Sequence, residues 1–95
     1  MGAATVTSTS YGYRVTGDTG EATVTSNAIK IKGVMFMPDD NSDTVIFTDY
    51  ASNAIMTITG TTADVWESWD FFDSRFDGLK VTLSDAQNVL LIMVE

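Results

Sequence analysis

Leu79-Lys80-Val81-Thr82-Leu83, Ser84-Asp85-Ala86-Gln87-Asn88 and Val89-Leu90-Leu91-Ile92-Met93-Val94, read in succession, decide the fold. The first piece alternates strictly, as a strand with one wet face does. The second is a polar turn. The third is apolar at every position and rich in β-branched residues, the pattern of a central strand covered on both faces. A helix competes for this end, because Ser84 and Gln87 stand at capping-box spacing. The run is too short for one, and a strand is the better reading.

Working outward, Leu79 is preceded by Val65 to Phe72, which gathers Trp66, Trp69, Phe71 and Phe72 among small and acidic residues. Thr44 to Tyr50 and Ala54 to Thr59 are two further strands, joined through Ala51-Ser52-Asn53 and followed by the loop Gly60 to Asp64. Ala28 to Met37 places Ile29 and Ile31 on one face and Lys30 and Lys32 on the other. Gly33 then interrupts the alternation, which predicts a bulge leading into a buried strand. Pro38 to Asp43 is a turn. Between Ala3 and Thr25, Tyr11, Tyr13 and Val15 share a face, and Gly17-Asp18-Thr19-Gly20 predicts a hairpin turn. Residues 1–8 are small and polar and are expected to form a mobile N-terminal arm.

The chain therefore reads as all-β: an antiparallel β-sandwich or a small jelly-roll-like barrel of about eight strands. Thr is the commonest residue and with Val and Ile supplies nearly a third of the sequence, as half-buried strands require. At 95 residues, one domain spanning 1–95 with one core is expected. No internal repeat or low-complexity tract is visible.

Composition narrows the chemistry. With no Cys and no His, the chain cannot build thiolate metal sites, disulfides, Cys nucleophiles or Ser–His triads. Thirteen acidic against five basic residues give a net charge of −8, which argues against nucleic acid as a partner. The longest apolar run, Val89 to Val94, is far shorter than the roughly 20 residues that span a bilayer, so no membrane partner is expected. Met1 to Val6 has no basic segment leading into an apolar run and does not match the myristoylation pattern, since Val6 replaces the required hydroxyl residue. No cofactor is expected.

Asp39, Asn41 and Asp43 have the spacing that opens a calcium loop. Thr44 stands where such a loop needs Gly, however, and Tyr50 where it needs a bidentate Glu. A solvated acidic turn is the better reading, and no metal site is assigned. Asp64, Glu67, Asp70, Asp73 and Asp77 interleave with aromatics. A glycosidase would draw a carboxylate pair from this stretch and would lose activity on Asp70→Asn or Asp73→Asn, but charges that keep an exposed strand soluble explain the pattern more simply. No catalytic residue is assigned.

Adjacent Phe71 and Phe72 must face opposite ways in an extended segment, so one of the two faces needs a cover. The same holds for Met35 and Met37 and for the last strand. A partner subunit is the expected cover, and Met35, Met37, Trp66, Trp69, Phe71, Phe72, Leu90, Ile92 and Val94 are the candidate subunit-interface residues.

Four segments carry a resemblance: Lys32-Gly33-Val34-Met35-Phe36, Val45-Ile46-Phe47-Thr48-Asp49, Phe76-Asp77-Gly78-Leu79-Lys80-Val81-Thr82-Leu83, and Val89 to Val94. Their order resembles the small all-β structural proteins of tailed-bacteriophage virion gene clusters, over about residues 28–95. Tyr50 to Asn53 lacks the Gly-rich turn usual in that pattern. The resemblance implies a non-enzymatic virion component. The commonest role is a capsid decoration or cement protein, a homo-oligomer with a trimer favoured, seated on the major capsid protein. The alternative it leaves is a tail or fibre module that binds a host-surface glycan through exposed Trp66 or Trp69.

Overall fold

A computed structural model describes residues 2–94. The strands are β1 (Thr5–Ser8), β2 (Gly12–Thr16), β3 (Ala22–Thr25), β4 (Ile29–Met37), β5 (Thr44–Thr48), β6 (Ala54–Thr59), β7 (Glu67–Phe76), β8 (Leu79–Leu83) and β9 (Val89–Val94). They form a five-stranded sheet, β1-β2-β9-β4-β7, and a four-stranded sheet, β3-β8-β5-β6, every pair antiparallel. The all-β expectation holds, as a two-sheet sandwich and not a closed barrel. The last strand is central as predicted: β9 lies between β2 and β4.

Only β1–β2 and β5–β6 are hairpins between consecutive strands of one sheet; every other connection crosses to the opposite sheet. The hairpin predicted at Gly17 to Gly20 is therefore a crossover. β2 pairs with β1 and β9, whereas β3 pairs with β8. Gly20 serves a different end. Its backbone packs on that of Gly2, where a Cβ would fall 2.1 Å from the Gly2 carbonyl oxygen. That contact, with Ala3 bridged to Gly20 and β1 paired along β2, ties down the segment expected to be a mobile arm. The physical reason is burial: Ala4 is enclosed and Val6 packs against the core. Met1 lies outside the described residues.

Alternation fills the space between the sheets. Val15, Ile31, Val34, Phe36, Leu90 and Ile92 from one side meet Val45, Phe47, Leu79, Val81 and Leu83 from the other, all essentially without solvent exposure. Phe71 stacks edge-on with both Phe47 and Phe76 at centroid distances of 5.5 and 6.3 Å. The bulge predicted at Gly33 is present, with the β4 register slipping between Ile31 and Gly33 against both neighbours. A Cβ at Gly33 would sit 2.8 Å from the Trp69 carbonyl oxygen, so only glycine lets β7 approach this closely.

Candidate interaction surface

The bulge sets which side chains the five-stranded sheet turns away from the core. Ahead of it Lys30 and Lys32 point outward; beyond it Val34 and Phe36 are buried and Met35 and Met37 take the outer face. Residues opposite one another in an antiparallel pair share a face. Met37 lies opposite Val89, Met35 opposite Leu91, and Gly33 opposite Met93. On the far side of β9, Thr16, Arg14 and Gly12 oppose the same three residues. The result is a half-buried apolar stripe of Met35, Met37, Val89, Leu91 and Met93 along the middle of the outer face.

Cations border this stripe. Arg14 flanks Leu91, Lys32 lies beside Gly33, and Lys30 pairs in register with Arg75. Four of the five basic residues of an acidic chain thus sit on one sheet face. The fifth, Lys80, is on the opposite sheet, within 3.5 Å of Glu21 and 2.6 Å of the Ser52 hydroxyl. Asp70 and Asp73 border the same face from the edge strand β7, where with Lys32, Gly33, Ser68, Trp69 and Met93 they line an open groove of about 430 Å³.

The middle of β7 departs from regular pairing. Two residue steps along β4, from Ile31 to Gly33, are matched by four along β7, from Ser74 to Asp70. Phe72 and Asp73 take up the excess in the left-handed region, with φ of 53° and 57°. For non-glycine residues this conformation is costly. The Asp70 carboxylate braces it by accepting the Phe72 N–H at 2.6 Å. Phe72 is left 82% exposed, the most exposed large apolar side chain among the described residues.

The nine candidate interface residues divide into three groups. Met35 and Met37 lie on the outer face, and Trp66 and Phe72 are exposed. Trp69 and Val94 are half-buried against the core, Trp69 with its ring 6.4 Å from that of Phe36. Phe71, Leu90 and Ile92 belong to the core itself and have no surface to offer a partner. In β9 the outward residues are the odd-numbered ones, Val89, Leu91 and Met93, which the sequence reading did not single out. A strand apolar at every position carries no internal sign of which side faces in. The sign was in its neighbour, since Met35 and Leu91 share a face once the register is known.

The calcium-like spacing is used to fold a loop. Asn41 Oδ1 accepts the Ala63 N–H at 2.8 Å, and the Asp43 carboxylate accepts the Asp40 N–H at 2.9 Å and the Ser84 hydroxyl at 3.1 Å. The carboxylates that converge are instead Asp39, Asp40 and Asp85, with oxygens within 4.8 Å of one another. Partial burial, then repulsion from Asp85, Asp40, Asp64 and Asp43, raises the Asp39 pKa. At the other end of the sandwich the Asp49 pKa is lowered, chiefly because its carboxylate accepts the Asn53 side-chain amide and backbone N–H at 3.0 and 2.8 Å. No protein-family model, curated protein or solved structure matches the chain.

Proposed function

We propose that the chain is a non-enzymatic structural protein of a tailed-phage virion, a capsid decoration protein that oligomerises, preferably as a trimer, on the major capsid protein. The outer face of the five-stranded sheet is the observation that carries this reading. It combines an unpartnered apolar stripe with most of the molecule's cations, while most acidic residues lie in loops or beside the other sheet. Such a face docks on an acidic surface and leaves acidic groups turned outward, keeping free subunits soluble. A standard interface takes about 800 Å² from each partner, roughly one-sixth of the 4983 Å² this chain exposes. That is the scale of a whole sheet face. Apolar burial there, at about 25 cal/mol per Å², raises the barrier to shell rupture.

The resemblance over residues 28–95 supports the virion assignment. Particles assembled without the chain are expected to release DNA at a lower temperature than complete ones, with purified protein restoring the difference. Unchanged heat release would refute the role.

The groove beside β7 favours a second reading, a tail module that binds glycan, because Trp69 is among its lining residues together with the polar Lys32, Ser68, Asp70 and Asp73. Indole fluorescence that responds to host-envelope sugars would support it. Antibody labelling of tails instead of heads would give it precedence.

A further inference from the structure

We infer that Met93, with Met35 and Met37 on the same stripe, is an oxidation site through which peroxide releases the chain from its docking surface, a regulation that rests on the docking role proposed for this face.

Methionine is distributed unevenly over the molecule. The core is built from Val, Ile, Leu, Phe and Ala, and among the described residues no methionine belongs to it. Met35, Met37 and Met93, three of the four described methionines, stand on the outer face of the five-stranded sheet. The fourth, Met56, is on β6, an edge strand of the other sheet. Thioethers are thus kept out of the packed interior and gathered where docking would cover them.

Met93 has the barest surroundings of the three. The residues directly opposite it are Gly12 on β2 and Gly33 on β4, so neither lays a side chain against it. Both glycines are required by the backbone. A Cβ at Gly12 would fall 2.0 Å from the Ile92 carbonyl oxygen, and one at Gly33 2.8 Å from that of Trp69. The gap opens into the groove beside β7, which Met93 lines. Met35 and Met37, by contrast, face Leu91 and Val89.

Hydrogen peroxide needs only access to such a sulfur. The sulfur lone pair attacks one peroxide oxygen, the O–O bond breaks as an S–O bond forms, and the departing hydroxide takes the remaining proton and leaves as water. Sulfur is oxidised by two electrons and peroxide is reduced. The sulfoxide product is polar, and reductases return it to the thioether. On the free chain, water satisfies the new oxygen. Against an acidic surface it meets carboxylates, which when ionised only accept hydrogen bonds. Burying it there leaves it unpaired and weakens the contact. Because these side chains point away from the core, the fold survives the change.

The free chain is treated with hydrogen peroxide, its sulfoxides are located by peptide mass mapping, and its binding to particles lacking the chain is measured by cosedimentation. Sulfoxide is expected at Met93 ahead of Met35 and Met37, with an unchanged circular dichroism spectrum. The Kd for the particles should rise about tenfold or more, and methionine sulfoxide reductases should reverse the rise. Met56→Leu is expected to bind as the wild type does and to lose binding on oxidation to the same extent. A Met93 that resists peroxide in the folded chain, or an oxidised chain that binds as well as the untreated one, would overturn the inference. So would a triple variant, Met35→Leu, Met37→Leu and Met93→Leu, whose Kd rises on treatment as much, relative to its own untreated value, as that of the wild type. An untreated wild-type chain that stays in the supernatant fails before any peroxide is added, and would bring down the docking role and this regulation with it.

Discussion

Leu90 and Leu91 are chemically identical neighbours with opposite fates, and replacing each in turn by Ala tests the placement of the outer face. Leu90 is fully buried, directly opposite Val15 and Phe36 in register. Truncation there leaves a cavity between two sheets and is expected to cost about 2–5 kcal/mol. A domain of this size has a total stability of roughly 5–14 kcal/mol, so the loss is a large fraction of the whole. At about 4–8 °C per kcal/mol, the melting temperature should fall by roughly 8–40 °C. Leu91 is half-buried on the outer face, opposite Arg14 and Met35. It forfeits about half the transfer free energy of a leucine and leaves no enclosed void, so about 1 kcal/mol is expected. Thermal unfolding followed by circular dichroism, at concentrations low enough to suppress association, separates the two. Equal losses, or a larger loss at Leu91, would show that the inward and outward sides of β9 have been exchanged.

Three further outcomes follow from the same structure. The raised Asp39 pKa means that the folded chain holds this proton to higher pH than the unfolded chain, so its contribution falls as pH rises through the folded value. Asp39→Asn should raise the melting temperature at pH 7, and the gain should fade below the ordinary carboxylate range; a gain independent of pH would contradict this. Asn88 is fully buried and accepts the Asp39 N–H at 2.8 Å, so Asn88→Ala should cost about 1–3 kcal/mol in a urea titration by orphaning that donor. Phe72→Gly removes a left-handed non-glycine residue, and with the entropy cost of glycine deducted it should stabilise the monomer by roughly 0.5–1 kcal/mol; a destabilised monomer would show that the bulge is unstrained.

Much of the fold was legible because its signals are local. Strict alternation placed β8, continuous apolar character placed β9, and the glycine after Lys30 and Lys32 marked the bulge. β1 was missed because Val6 is the sole large apolar residue in Thr5–Ser8, too little for a period. The crossover after β2 was missed because a Gly-Asp-Thr-Gly turn has the same composition whether the chain returns to its own sheet or passes to the other. At the candidate surface, Met35 and Met37 were readable from the bulge. Leu91 and Met93 were not, since their orientation is set by pairing with β4 and β2. Nor was the convergence of Arg14, Lys30, Lys32 and Arg75 on one face, which joins residues from three strands.

Cosedimentation of the wild-type chain and Leu91→Glu with particles lacking the chain tests the proposed docking face most directly. Arg14 lies opposite position 91 and would pair with the new carboxylate, so the monomer fold is retained. The wild-type chain is expected to sediment with the particles and Leu91→Glu to stay in the supernatant with an unchanged circular dichroism spectrum. A wild-type chain that stays in the supernatant, or a Leu91→Glu variant that binds as well as the wild type, would contradict the assignment of this face to docking.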